Sequence, residues 1–355
     1  MAAMIRSMRI GLAAWAALTA SVGLSATEFM ISEGTDIIGA VQVIRAEYED
    51  TFVKLARRYN VGYEELRRAN PNVDAWLPGA GTEIVLPTQF VLPRAERRGI
   101  VINLPELRLY YFPDDDGRRV ITHPISIGRM DWATPLGRTS IVAKAKNPSW
   151  YPPQSIRDEH AARNDPLPNV VPAGPDNPLG NHALRLGIPG YLIHGTNKPS
   201  GVGMRVTHGC IRMFPEDIES LFEMVGSGTQ VRIVDQPFKL GWGDGGLYLE
   251  AHLPLQEPDE VIDLDEPSEE LEADRVPAEG QWTATELTRL YVAATQSRTA
   301  RVDWLSAERV MDAALGVPEF VAVAEEAPVV AEEVQTVADE NSLEPSLAAE
   351  TPLLD

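Results

Sequence analysis

Cysteine occurs once in this chain of 355 residues, at Cys210. A lone thiol cannot close an intramolecular disulfide, so burial and hydrogen bonding must hold the fold without covalent help. The length allows two or three modest domains with a proper core. Such a thiol is either a buried small hydrophobe or a working nucleophile, and the rest of the sequence bears on that choice.

The N-terminus sharpens it. Arg6 and Arg9 precede the apolar run IGLAAWAALTASVGL, which is too short for a comfortable membrane span, and LSA ending at Ala26 offers small residues for cleavage. Residues 1–26 are expected to be an export signal; an uncleaved anchor is the other reading. In an oxidising compartment cysteines usually come in pairs, which makes one unpaired thiol notable.

Charge is segregated. The formal net charge is −21, yet residues 256–275 hold ten acidic residues and one arginine, and residues 322–355 hold nine acidic residues and no basic one. The remainder is close to neutral, so no basic footprint for nucleic acid exists. The two acidic segments, an acidic linker over 256–280 and a tail over 322–355, are expected to be disordered because they cannot bury enough to offset ordering entropy.

Between these limits the patterning changes along the chain. In residues 40–88, GAVQVIRAEY reads as a strand. DTFVKLARRYNV spaces Phe52, Leu55 and Ala56 as a helix capped by Asp50, GYEELRRANPNV as a second helix, and GTEIVLP as a closing strand. This β-α-α-β order resembles a LysM domain, a peptidoglycan- and chitin-binding module. The matching residues are Asp50-Thr51, Leu55-Ala56, Tyr59, Leu66, Asn70-Pro71, Pro78-Gly79 and Leu86-Pro87, with Glu49 where the family has glycine. A helical hairpin without a ligand is the competing reading. Residues 98–236 alternate apolar and polar positions in strand fashion, with glycine and proline at short intervals, so a mainly-β, sandwich-like domain with long functional loops is expected. PEDIESLFEMV is its clearest helix, with Pro215 in the first turn. Over 281–318, Thr283-x-x-Glu286 opens one helix and SAERVMDAAL forms another, giving a helical C-terminal segment.

The chemistry centres on YLIHGTNKPSGVGMRVTHGCIRM. A thiol is a good nucleophile only as thiolate, so an imidazole is needed to activate Cys210 near neutral pH. His194 ends a strand-like run, and the glycine-bearing stretch NKPSGVG reads as a flexible return that brings it to the sulfur. Backbone N–H groups beside Cys210 could form an oxyanion hole. Cys210 with two histidines supplies three metal ligands but no evident fourth, so neither a metal nor a cofactor is expected.

IHGT…THGCIRM resembles the signature of the L,D-transpeptidase family with its YkuD-type catalytic domain, and TPLGRTSI and NPLGNHALRL match two further family segments in the right order. The resemblance implies a nucleophile at Cys210 and a base at His194 oriented by the carbonyl of Gly195. It also implies an oxyanion site lined by His208 and Gly209, with Thr207 and Arg212 near the substrate. It implies a periplasmic enzyme of peptidoglycan biosynthesis: the thiolate attacks a stem tetrapeptide at its third residue, D-alanine leaves, and the thioester passes to an amine. The acceptor would be another stem or an outer-membrane protein. The alternative is a peptidoglycan-binding protein whose catalytic domain is weak or hydrolytic. Cysteine endopeptidases of the NlpC/P60 class place the cysteine before the histidine; here only His252 follows, in what reads as a linker.

Overall fold

The computed structural model describes residues 27–113, 116–129, 132–255 and 284–325. The expected export signal, the acidic linker and the tail beyond residue 325 lie outside the described residues.

The first elements are β1 (Thr27–Met30), β2 (Ile37–Gly39), β3 (Gln42–Arg45), α1 (Phe52–Arg58), α2 (Tyr63–Ala69), β4 (Glu83–Leu86) and β5 (Gln89–Val91). β3 and β4 pair antiparallel, and the two helices pack on them around Phe52, Leu55, Leu66 and Ile84, all fully buried. The cap of α1 is Thr51, whose hydroxyl accepts from the Lys54 N–H. Asp50, expected in that role, is buried instead. It accepts from the Glu47 N–H at 2.8 Å and pairs with Arg58 at 2.9 Å, closing the turn before the helix. Asn70 ends α2 by spending its amide on β4: Nδ2 donates to the Val85 carbonyl and Oδ1 accepts from the Val85 N–H, both at 2.8 Å.

The central part contains β6 (Gly99–Asn103), β7 (Arg108–Phe112), β8 (Arg119–Pro124), β9 (Ile127–Gly128), β10 (Gly137–Lys146), α3 (Gln154–Ala162), β11 (His182–Leu186), β12 (Leu192–His194), β13 (Arg205–Thr207), β14 (Ile211–Arg212), α4 (Pro215–Met224) and β15 (Gln230–Val234). It is mainly β, as expected, but its principal sheet is one nine-stranded array in the order β1-β8-β7-β6-β15-β10-β11-β12-β14, rather than two stacked sheets. The sheet curls. Ile121 of β8, Ile193 of β12 and Ile211 of β14 share one apolar cluster with β6, β7 and α4. Ser126, just past β8, bridges Arg212 on β14. A second cluster, with Val101, Tyr110 and Val120, covers the other face of β6–β8 against Phe90 and Leu92. Strands buried on both faces explain why β6 and β7 read as near-continuous apolar runs.

The C-terminal part holds two helices within 281–318, joined by a sheet that the sequence reading did not include. β16 (Phe238–Gly243), β17 (Gly246–Ala251), β18 (Ala300–Val302) and β19 (Glu319–Ala324) form a four-stranded sheet, and α5 (Ala284–Ala294) and α6 (Trp304–Ala313) pack on it. A pair of short amphipathic helices cannot bury its own apolar stripes, and this sheet supplies the missing surface. Ala322, assigned to the acidic tail from sequence, is buried in β19. His252 likewise lies in no open linker. It is buried and hydrogen-bonded to Glu250 at 2.6 Å.

Candidate active site

Register places the candidate groups. β12 and β14 run parallel with Ile193 opposite Ile211 and His194 opposite Arg212. Both isoleucines are fully buried in the core. Side chains alternate along a strand, so Leu192, His194 and Arg212 turn to the opposite face. The sole thiol lies one residue before β14, and both it and His194 feel the Arg212 charge.

His194 is buried, and its Nδ1 lies 2.6 Å from the Gly195 carbonyl. A carbonyl can only accept, so Nδ1 carries the proton and Nε2 keeps its lone pair. Burial, aided by the positive Arg212, pushes the imidazole down to about 4, against the Gly195 hydrogen bond. At neutral pH His194 is an uncharged base with a fixed tautomer. Cys210 is partly exposed, and its Sγ donates to the Gly190 carbonyl at 3.6 Å. Burial pushes the thiol up, while the Leu192 N–H and Arg212 pull the other way. The resting pair is therefore a neutral thiol beside a neutral imidazole.

The turn carrying Cys210 is tied at each residue. Thr207 donates its hydroxyl to the Cys210 carbonyl at 2.5 Å. Gly209 has φ +93°, and a Cβ there would come within 2.8 Å of the Tyr191 ring. Its carbonyl accepts from the Thr134 hydroxyl at 2.9 Å. Thr134 belongs to TPLG, so that segment, between β9 and β10, pins the cysteine turn. In NPLG, Asn177 is fully buried and donates to the carbonyls of Pro148, Val171 and Pro172, while Gly180, at φ +65°, lets the chain pass against the Thr196 backbone.

His208 departs from the simplest expectation. Its Nε2 bonds Glu159 of α3 at 2.8 Å, and its ring meets Trp132 edge-on. Glu159 also takes Arg129 at 2.7 Å and Arg163 at 3.2 Å. Burial would raise that carboxyl, yet Arg129 and His208 hold it below its ordinary value. Sequence reasoning missed Glu159, Arg129, Trp132 and Thr134 as site residues. Arg212 bridges Ser126 through its backbone, and its guanidinium runs along Gly201, while its charge reaches both His194 and Cys210.

Among the described residues one cluster has metal-like spacing, Glu106, Glu250 and His252, and it lies apart from Cys210. The Lys239 ammonium already sits in it, 2.8 Å from Glu106 and 2.9 Å from Glu250. The cation there is a side chain, and the cluster is a buried ion network.

The family model for the L,D-transpeptidase catalytic domain, YkuD, matches residues 97–233. That span holds every residue of the cysteine turn. Three proteins of Escherichia coli K12 are similar over longer stretches. Probable L,D-transpeptidase YcfS is 47% identical over 57% of this chain and 65% of its own length. Probable L,D-transpeptidase YbiS is 42% identical over 68% of this chain and 81% of its own. Probable L,D-transpeptidase ErfK/SrfK is 40% identical over 69% of this chain and 80% of its own. The thiol, its tautomer-locked histidine and the glycine turn between them thus lie on a chain that belongs to the L,D-transpeptidase family.

Proposed function

We propose that the chain is an exported L,D-transpeptidase of the cell wall, with Cys210 as nucleophile and His194 as general base and acid. The observation that carries this reading is His194, its Nδ1–H spent on the Gly195 carbonyl, at the end of a strand paired with β14, which follows directly on the only thiol. Relatives named as L,D-transpeptidases support the reaction class.

His194 Nε2 accepts the Sγ proton as sulfur adds to the carbonyl carbon joining the third stem residue to terminal D-alanine. The carbonyl oxygen becomes an oxyanion beside the backbone at Gly209 and Cys210. Collapse breaks the C–N bond, and His194 returns the proton to the departing amine. The thioester on Cys210 retains the acyl group. An acceptor amine then adds, His194 takes its surplus proton, and collapse expels the thiolate, which recovers that proton. A thioester reacts with amines more readily than an amide does, so the second step needs no nucleotide. A neutral resting pair suits this sequence, because proton transfer accompanies carbon–sulfur bond formation. Arg212 and Thr207 border the face where the stem would lie, and His208 shapes it through Glu159.

The β3–α1–α2–β4 unit is read as a LysM-like module holding intact wall. Its two loops, residues 46–51 and 70–82, are tied by the Phe52 N–H to the Ala75 carbonyl at 2.8 Å, and they expose Tyr48 and Trp76. Exposed aromatic faces on adjacent loops suit stacking against sugar rings. The acceptor is read as an amine of a neighbouring stem or of an outer-membrane protein.

Incubation with a disaccharide tetrapeptide tests the reaction. Release of D-alanine together with a cross-linked dimer supports transfer. Release of D-alanine with only the tripeptide product favours the hydrolytic alternative, and no release sinks both.

A further inference from the structure

The stretch between His194 and Cys210 reads from sequence as a flexible return, rich in glycine. In the structure it is a seat. Residues 62–64, at the start of α2, press against residues 202–204 of that return. The Tyr63 N–H points to the Val202 carbonyl at 3.4 Å, and the Glu64 N–H donates to the Gly203 carbonyl at 3.1 Å. These are first-turn donors of a helix, which have no partner inside it. Gly203 has φ +85°, and a Cβ there would lie 2.3 Å from the Tyr63 nitrogen and 2.4 Å from the Gly62 Cα. The two backbones touch, and only glycine fits. Met204, partly buried, then packs against the apolar core of the β3–α1–α2–β4 unit.

The other side of the return belongs to the catalytic sheet. Ser126 donates its hydroxyl to the Gly201 carbonyl at 2.7 Å, and the Ile127 N–H points to the Met204 carbonyl at 3.3 Å. β13 begins at the next residue and runs through Thr207 into the cysteine turn.

The helix making this contact is itself clamped to the sheet. Glu65 accepts from the Gly62 N–H at the start of α2. The same carboxylate pairs with Arg108 of β7 through two bonds of 2.6 and 2.7 Å, both side chains being buried. Such a bidentate pair fixes orientation as well as distance. Arg57 of α1 holds Glu216 of α4 at 2.9 Å, and Asn60 donates to Asp217 at 3.3 Å. A module tethered only to deliver wall to the enzyme would need no backbone contact with the loop that bears the nucleophile.

We propose that the N-terminal β-α-α-β unit is a positioning element of the catalytic centre: through Gly62, Tyr63 and Glu64 it sets the path of residues 202–204 and thereby the placement of Cys210. Its role toward glycan, if it has one, is additional. The proposal rests on the reading of Cys210 as the acyl-carrying thiol. It also implies that removing the unit slows turnover of small soluble substrates. Met204 and Gly203 are positioning residues, since neither touches the reacting atoms.

Four variants of the full chain test this: Gly203→Ala, which forces the two backbones apart; Met204→Ala, which removes the side chain packed against the unit's core; Met204→Leu, which restores an apolar side chain there; and Arg45→Ala, a control on the exposed face of β3. Two rates are measured on folded protein below each variant's melting temperature: D-alanine release from soluble tetrapeptide, and alkylation of Cys210 by iodoacetamide. Misplacement of about 1 Å costs up to roughly a hundredfold in rate, so Met204→Ala should lower kcat roughly tenfold and Gly203→Ala further. KM should change little. Arg45→Ala should stay within about twofold, as exposed ion pairs contribute little. Met204→Leu should recover most of the rate. A merely structural contact would lower the melting temperature and leave both rates per folded molecule unchanged, and that result overturns the proposal. Alkylation requires no stem peptide, so it reads the loop even where tetrapeptide turnover is absent in the wild type. Absent turnover would count against the transpeptidase reading alone.

Discussion

Burial sets the resting charge of both reacting groups, and this has a consequence for pH. His194 works as a base only when neutral, and its imidazole is pushed down to about 4. Lowering the pH protonates it and removes the base, so acylation should hold to about pH 5 and fall through a midpoint near 4, well below free imidazole. An acid limb centred near the ordinary histidine value, in acylation rate against pH, would contradict the neutral-pair account. Glu159 supplies a second prediction. It holds His208 and Arg129 at once, and glutamine preserves its shape while removing the charge. Glu159→Gln should slow acylation roughly threefold to tenfold with little change in melting temperature, as expected of a residue that orients another. An unchanged acylation rate would mean that the His208–Glu159 bond serves only to hold α3.

At the scale of elements, the cysteine turn is the most constrained piece. Gly209→Ala meets both an unfavourable φ and the Tyr191 ring. The strain is about 1–3 kcal/mol, and relieving it should rotate the Cys210 backbone. We expect acylation to fall at least about tenfold while the circular dichroism spectrum stays native; a variant with wild-type rate would show that the turn tolerates a side chain. Much of this piece was legible beforehand, because glycine beside each histidine and the order of TPLG, NPLG and THGC report local backbone demands that sequence carries directly. Glu159 was not. Its helix buries only Ile156, so QSIRDEHAA has no apolar stripe to announce it, and its link to His208 spans 49 positions. The hairpin of β16 and β17 did carry a signal, Asp244-Gly245 between two apolar runs, with Gly245 at φ +79°. The last residues of β19, from Ala322, fall in the expected tail because EFVAVA borders the acidic residues, and its partner β17 lies far back in the chain. The pairing of a strand-ending histidine with the thiol turn was readable around His194 and Cys210; the seating of the return between them by α2 depends on tertiary contact and was not.

For the whole molecule, two buried ion networks join the parts. Glu65 and Arg108 link the N-terminal unit to the nine-stranded sheet, while Lys239 of β16 links Glu106, in the turn between β6 and β7, to Glu250 of β17. Removing one member of a buried pair strands its partners' charge, at a cost of about 3–5 kcal/mol. Lys239→Met should therefore lower the denaturant midpoint sharply, since Glu106 and Glu250 would lose the Lys239 ammonium between them while staying buried. An unchanged midpoint would mean that the carboxylates take up protons without penalty. His252 shares this network, and burial holds it well below its ordinary value, so its substitution tests packing and leaves the Cys210 chemistry aside. The central claim, that this chain transfers acyl groups through its only thiol, has a direct test. Wild type and Cys210→Ala are each incubated with stem tetrapeptide or a carbapenem, then analysed by intact-mass spectrometry and peptide mapping. The account predicts one acyl equivalent on wild type, mapped to the peptide bearing Cys210, and none on the variant. Acylation that persists in Cys210→Ala, or a wild type that gains no mass, would contradict it.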